Sequence, residues 1–442
     1  MIARRLKKKF LLAASCVALL FLVSGCAKLS RDRSSAKQST MPFANVGQPT
    51  IVSSKDADAA EPAVAVAHDG TAFVVWVEHR GKEADVMLKH FNGDGQPAGP
   101  SVRVNPQMGQ ATAWRGDPPT ITVAPDGAVY VGWTARVDSD SAHGTNVYLS
   151  ASRDQGQSFF APVKVNDDQK PAAHGLHSLA VAGNGAIYVA WLDERNVLPM
   201  PAKDMNMNSR STGHHMESNR ELFFSSSTDG GRSFSPNSRI GMDACPCCKT
   251  TLAVANDGRL YVSWRRVLPG DYRHIAVSSS PDAGKTFSAP VIVSDDQWIL
   301  KGCPVSGAAL STGKDGALSV LWYAGGERDQ HGIYWTESRD EGRTFSPRQL
   351  GAAGNAQGTP VFVHGAIGDI GIWEAEEKGA SELIAAPFGI GSRGHTAAIL
   401  ASNGALPAVA DSAGRIFIAY VVKDDTRQSI RLISVAKEQL MI

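Results

Sequence analysis

Short β-branched and apolar runs recur along the chain, and each ends on an aromatic residue six positions after a glycine. Gly70/Trp76, Gly127/Trp133, Gly185/Trp191, Gly258/Trp264 and Gly316/Trp322 share this spacing, and Gly414/Tyr420 keeps it with a tyrosine. Each pair reads as an extended segment, a tight turn at the glycine, and a second strand that ends on the aromatic. A looser unit ends at Trp373. The count is seven units, each continuing into a third strand, a turn and a fourth strand. Repetition at this period marks a repeat architecture.

The turn after the third strand carries its own signature, Ser-x-Asp-x-Gly-x-x-Phe. It occurs at Ser152–Phe159, Ser227–Phe234, Ser280–Phe287 and Ser338–Phe345. Asp folds back onto backbone N–H groups, Gly takes a positive φ, and the ring packs beneath. The pattern has decayed in the first unit, around Asn92-Gly-Asp94-Gly95, and in the sixth, near Phe388-Gly-Ile-Gly391. Fourth strands look alike at residues 161–166 and 289–294, and residues 48–53 have the same look. The last unit stops after its third strand, at residues 430–436, so the N-terminal strand is expected to complete it and close the array.

The octapeptide resembles the Asp-box, or BNR repeat, of sialidase-like β-propellers, over nearly all of residues 48–442. The resemblance implies an all-β propeller closed by an N-terminal strand. The family's enzymes have six blades, whereas the repeat count here is seven. In that family the box is structural, so it indicates a fold and not a chemistry. Propeller topology then puts the box turns on one face. The connections into each first strand, and those between second and third strands, lie on the other face around the central mouth.

Residues 1–25 read as an export signal, with Arg4, Arg5, Lys7, Lys8 and Lys9 before an apolar run at 10–23. Val23-Ser24-Gly25-Cys26 resembles a bacterial lipobox, which implies cleavage before Cys26 and lipid on its sulfur. Residues 26–47 then form a polar tether. Ala27, by resemblance to Gram-negative lipoproteins, points to the outer membrane, facing the periplasm or the cell surface. Removal of five basic residues from a chain with 44 basic and 43 acidic residues leaves a balance of 39 against 43. That is no footprint for nucleic acid.

Three segments on the mouth face carry candidate chemistry. The first lies between Trp191 and Asp229 and is about twenty residues longer than its equivalents. It holds Met200, Met205, Met207, His214, His215 and Met216, thioether and imidazole donors of the kind copper takes. It is otherwise a surface loop. The second is Cys245-Pro246-Cys247-Cys248, and the third Cys303-Pro304 one blade on. Cys245 and Cys303 each stand thirteen residues before a turn glycine, Gly258 and Gly316. The four cysteines pair as disulfides or act as thiolate ligands for copper or zinc. Cys-x-Cys-Cys together with Trp298-Ile-Leu-Lys-Gly302-Cys303-Pro304-Val305 resembles a subgroup of bacterial sialidase-like lipoproteins. His174 and His177 lie before the third unit's first strand. The expectation is a binding protein that handles a soft metal such as copper through Cys245, Cys247, Cys248 and Cys303, with Met205, Met207, His214, His215 and Met216 as a capture arm.

The alternative is an exo-α-sialidase. Such an enzyme holds a carboxylate with three arginines and attacks with a Tyr activated by a Glu. The nearest match to the family's Arg-Ile-Pro segment is Trp114-Arg115-Gly116-Asp117-Pro118, which has an extra residue and precedes the second unit. Arg115 and Asp117, and then Asp193, Glu194 and Arg195 after a second strand, are the catalytic candidates. Arg265 and Arg266 stand comparably. No Tyr–Glu pair is identifiable. A further alternative is a metal-free scaffold that binds a glycan or a protein.

Overall fold

Each glycine-to-aromatic unit folds as a hairpin whose second strand is buried on both faces, as in Ala72–Arg80, where Val74, Val75 and Trp76 are fully buried. Burial on both faces requires an apolar neighbour on each side, and adjacent hairpins supply it. The computed structural model describes residues 42, 44–137, 144–197, 219–299, 305–326, 330–364, 368–377, 379–389, 397–412, 414–423 and 427–440. The chain divides into Met1–Thr40 and Met41–Ile442, and the described residues all lie in the second unit. The signal, Cys26 and most of the tether are therefore outside them.

Among the described residues, seven four-stranded antiparallel blades follow in chain order. Their first strands are Asp58–Val66, Thr120–Val123, His174–Val181, Thr251–Val254, Ala308–Thr312, Ala356–His364 and Gly404–Asp411. Blades three and four are joined into one sheet by a single pairing, Ala244 with Arg266. The repeat count of seven holds, against the six blades of sialidase enzymes. Closure is as expected: Thr50–Ile51 pairs with the last strand, Gln428–Ala436, at Thr50–Leu432 and Ile51–Arg431. Outer strands such as Val102–Arg103, Val163–Lys164 and Val291–Ile292 are two residues long. Short edges resist pairing with another chain. Among the described residues no helix is long and apolar enough to cross a membrane.

Among the described residues, each seam between blades holds one apolar cluster, seven in all, and Cys245, Cys247 and Cys248 form a separate one. At the closing seam, Val64, Val74 and Trp76 of blade one meet Phe417, Ala419 and Leu432 of blade seven. The Asp-boxes feed these seams. In the first box the Ser152 hydroxyl donates to Asp154 at 2.7 Å, and the Gly156 N–H donates to Ser152 Oγ at 2.9 Å. The Ser158 N–H donates to the same carboxylate at 2.9 Å. Ser227–Ser233, Ser280–Thr286 and Ser338–Thr344 repeat this network. These hydrogen bonds hold Asp154, Asp282 and Asp340 down at about 2, and Asp229 lower still. The box phenylalanines Phe159, Phe234, Phe287 and Phe345 each pack into the seam with the preceding blade. In the decayed first box, Asn92 replaces the aspartate, accepting from the N–H groups of Asp94 and Gln96 at 3.1 and 2.9 Å.

Candidate functional site

The first strands line a central cavity of about 700 Å³. Their entry is bent. Pairing with the second strand shifts register between Ala60 and Ala63, Gly175 and Ser178, Gln357 and Val361, and Ala405 and Ala408. Within each shift stands a residue of positive φ: Glu61 (52°), Leu176 (53°), Gly358 (75°) and Leu406 (50°). Bulges of this kind re-aim side chains. For a non-glycine residue the conformation carries strain that the surrounding sheet must hold. Below the bulges the wall is apolar, with Val64, Ile121, Leu179, Leu252, Leu310, Phe362 and Val409. Polar groups gather among the other lining residues, including Glu61, Arg115, Lys249, Gln357, Glu374 and Gln428.

Two carboxylates occur among the described lining residues, Glu61 and Glu374. Glu61 is buried and lies 2.7 Å from Nε2 of the buried His79. Glu374 is also buried. It accepts from the Ser381 hydroxyl at 2.9 Å and from the Leu406 N–H at 3.3 Å. Arg115 donates to Gln428 Oε1 at 2.8 Å and pairs with Asp58. Lys249 has no hydrogen bond or ion pair among the described residues. Burial brings its ammonium group down to about 8, against the pull of Asp117. An unpaired cation in a cavity is a receptor for an anion.

Of the candidate site residues that lie among the described residues, Arg115 lines this cavity, with its neighbours Gly116 and Pro118. Asp117 is buried beneath it, where it accepts from the Thr134 hydroxyl at 2.8 Å and the Leu176 N–H at 2.7 Å. Burial pushes its carboxyl up. The facing His177, at 3.7 Å, and these two donors outweigh that and hold it below the usual range. Asp193 is fully buried and accepts from Trp191 Nε1 at 2.8 Å and Arg195 Nε at 3.0 Å. Arg195 also donates to Asp167 at 2.7 Å and Asn237 at 2.9 Å, and its guanidinium sits 4.2 Å over the Phe223 ring. Glu194 pairs with Arg220 at 2.6 Å. This charged trio knits blade three together and does not reach the cavity lining. Arg265 is buried, donating to the Ser306 and Tyr323 carbonyls of blade five at 3.0 and 2.9 Å. Arg266 pairs with Asp243 at 3.3 Å. His174 and His177 are buried within blade three.

Sequence reasoning missed Glu61, Lys249 and Glu374. A faint signal exists for two of them: Glu61 and Lys249 each stand fifteen residues before their blade's tryptophan, Trp76 and Trp264.

The cysteine loop connects Ser238–Ala244 with Thr251–Val254 on the mouth face. Cys245, Cys247 and Cys248 are buried, with their sulfur atoms within 4.8 Å of one another. Cys245 and Cys248 are free thiols with Sγ atoms 3.1 Å apart, and Cys247 Sγ lies 3.9 Å from Cys245. The Cys248 contact and the Arg273 guanidinium, which donates to Cys245 Sγ at 3.2 Å, bring the Cys245 thiol down to about 6. Burial pushes Cys248 up. Cys247 is disulfide-bonded. Cys303 lies outside the described residues, as do Met200, Met205, Met207, His214, His215 and Met216. A four-thiolate metal set therefore requires reduction of the Cys247 bridge.

No family model matches the chain, and no curated protein matches it. Solved structures do. A protein of unknown function from Dyadobacter fermentans is 13% identical with a TM-score of 0.53, over 90% of this chain and 100% of that one. A mutant α-L-arabinofuranosidase from Fusarium graminearum is 12% identical with a TM-score of 0.50, over 73% of this chain and 94% of that one. The NanB sialidase from Streptococcus pneumoniae is 11% identical with a TM-score of 0.47, over 84% of each. At these identities the likeness is one of fold alone, carried by the structures with TM-scores of 0.53 and 0.50.

Proposed function

We propose that the protein is a glycan-directed propeller of the glycosidase kind, and that its central cavity takes the acidic end of a sugar chain. The observation that carries this reading is Lys249, a cation without a partner among the described residues, facing a cavity that also holds Arg115. Apolar walls below a polar mouth suit a sugar ring, which offers both faces. Glu61, tied to His79, and Glu374 are the acid–base candidates, since glycoside hydrolysis runs on a pair of carboxyl groups. One arginine and no tyrosine occur among the described lining residues. The acid–base chemistry in this reading therefore uses these carboxylates and not the Tyr nucleophile of sialidases. Export and lipid attachment at Cys26 would place the cavity in the cell envelope, where acidic glycans are met. The soft-metal centre expected from the cysteines is not used in this reading.

The test is release of reducing sugar from a panel of acidic oligosaccharides, sialosides and uronides first, with neutral arabinosides as controls. Release from an acidic substrate that falls at least about 100-fold in Glu61→Gln or Glu374→Gln is the expected result. Release that both variants retain would remove these residues from the chemistry. A panel with no cleavage and no binding would remove the reading itself.

A further inference from the structure

The cysteine loop carries chemistry that the cavity does not use. It is pinned at its first cysteine, where the strand Ser238–Ala244 runs across the seam of blades three and four. Ala244 pairs with Arg266 there, and the Cys245 N–H donates to the Arg265 carbonyl at 2.8 Å. The Cys248 N–H then reaches back to the Cys245 carbonyl at 3.4 Å, closing a turn that sets the two thiols 3.1 Å apart. Cys247, between them in sequence, presents a bonded sulfur 3.9 Å from Cys245. Arg273 donates to Cys245 Sγ at 3.2 Å, and a guanidinium at that distance favours the thiolate, the attacking species in disulfide exchange.

We propose that Cys245 and Cys248 are a dithiol that exchanges with the disulfide at Cys247, making this loop a thiol–disulfide exchange centre. The Cys245 thiolate attacks Cys247 Sγ, forming a Cys245–Cys247 bond and expelling the sulfur formerly bonded to Cys247 as a thiolate. Cys248, as thiolate, then attacks Cys245 Sγ, forming Cys245–Cys248 and releasing Cys247. One disulfide breaks and one forms. The two protons lost by Cys245 and Cys248 pass to the two released sulfurs, so no outside oxidant is consumed. The spacing Cys245-x-x-Cys248 is that of a redox pair. A metal fits the same atoms less well. Sulfurs around a tetrahedral ion with bonds of about 2.3 Å stand about 3.8 Å apart. The Cys245–Cys248 pair at 3.1 Å is closer than that, and Cys247 is not a thiolate.

The experiment is disulfide mapping of the full chain, isolated without reductant, incubated near neutral pH, quenched in acid, alkylated and sequenced as fragmented peptides. Two isomers are expected, each with the same number of alkylated thiols. In one, Cys247 is linked to a distant peptide and Cys245 and Cys248 are alkylated. In the other, Cys245–Cys248 is bridged and Cys247 is alkylated. Cys245→Ser, which lacks the attacking sulfur, is expected to leave Cys247 in its original pairing and Cys248 alkylated, and Cys248→Ser to leave Cys245–Cys247 as the trapped product. The wild-type map decides the matter even if a variant fails to fold. A single pairing at Cys247, with Cys245 and Cys248 always alkylated, overturns the proposal. So does stoichiometric Cu(I) binding by the reduced chain together with a wild-type map that shows no Cys245–Cys248 isomer, which would assign the loop to a soft metal.

Discussion

Adding one methyl group to the glycine of each Asp-box should separate the four boxes by how tightly they staple neighbouring blades. Gly156, Gly231, Gly284 and Gly342 have φ between 80° and 86°, so alanine at any of them carries the left-handed cost of about 1–2 kcal/mol. The steric part differs. A β-carbon at Gly284 would lie 2.3 Å from the Phe224 ring of blade three. At Gly156 it would lie 2.6 Å from Leu88, and at Gly231 2.7 Å from Leu149. At Gly342 it would stand 3.4 Å from Tyr261, an ordinary contact. Phe224 has little room to retreat, since it is buried, stacks on Tyr188 and meets Phe287 edge-on at 5.0 Å. Overpacking of this kind costs about 1–3 kcal/mol. Gly284→Ala should therefore cost about 2–5 kcal/mol in all, Gly156→Ala and Gly231→Ala somewhat less, and Gly342→Ala about 1–2 kcal/mol. Chemical denaturation of the four variants, followed by tryptophan fluorescence, reads this order. Equal losses at all four, or the largest loss at Gly342, would refute the idea that the boxes act by close packing across the seams.

Arg195→Ala should destabilise the fold by about 3–5 kcal/mol, because it leaves the buried Asp193 without its cation. The same variant should leave ligand binding in the cavity unchanged once folded, and denaturation with calorimetry checks both halves. The box aspartates have folded values near 2, below the ordinary 3.8. Their stabilisation is therefore present above about pH 4 and lost as pH falls towards 2. Acid unfolding should begin in that window, and Asp154→Asn should make the acid limb shallower.

The architecture was legible because its signals are local and repeated. The glycine-to-tryptophan spacing and the box each recur, so the seven blades could be counted against the six of sialidase enzymes, and the missing fourth strand of the last blade pointed to Thr50–Ile51. The cavity was less legible. Glu61, Lys249 and Glu374 are single residues without a shared motif, and Glu61 owes its placement to a bulge that no local pattern announces. Asp193, Glu194 and Arg195 had the look of a charged rim, but each has a partner within blade three or on its flank. The cysteines were legible as a group. Their bonding state was not, since spacing does not distinguish a thiol 3.1 Å from its neighbour from one already bridged.

The central claim is that the cavity recognises a carboxylate through Lys249, and calorimetric titration with an acidic monosaccharide and its neutral counterpart tests it most directly. The account predicts that the acidic sugar binds at least about tenfold more tightly, and that Lys249→Met removes this preference while Arg195→Lys does not. Equal affinity for the two sugars, or a preference that survives Lys249→Met, would contradict it.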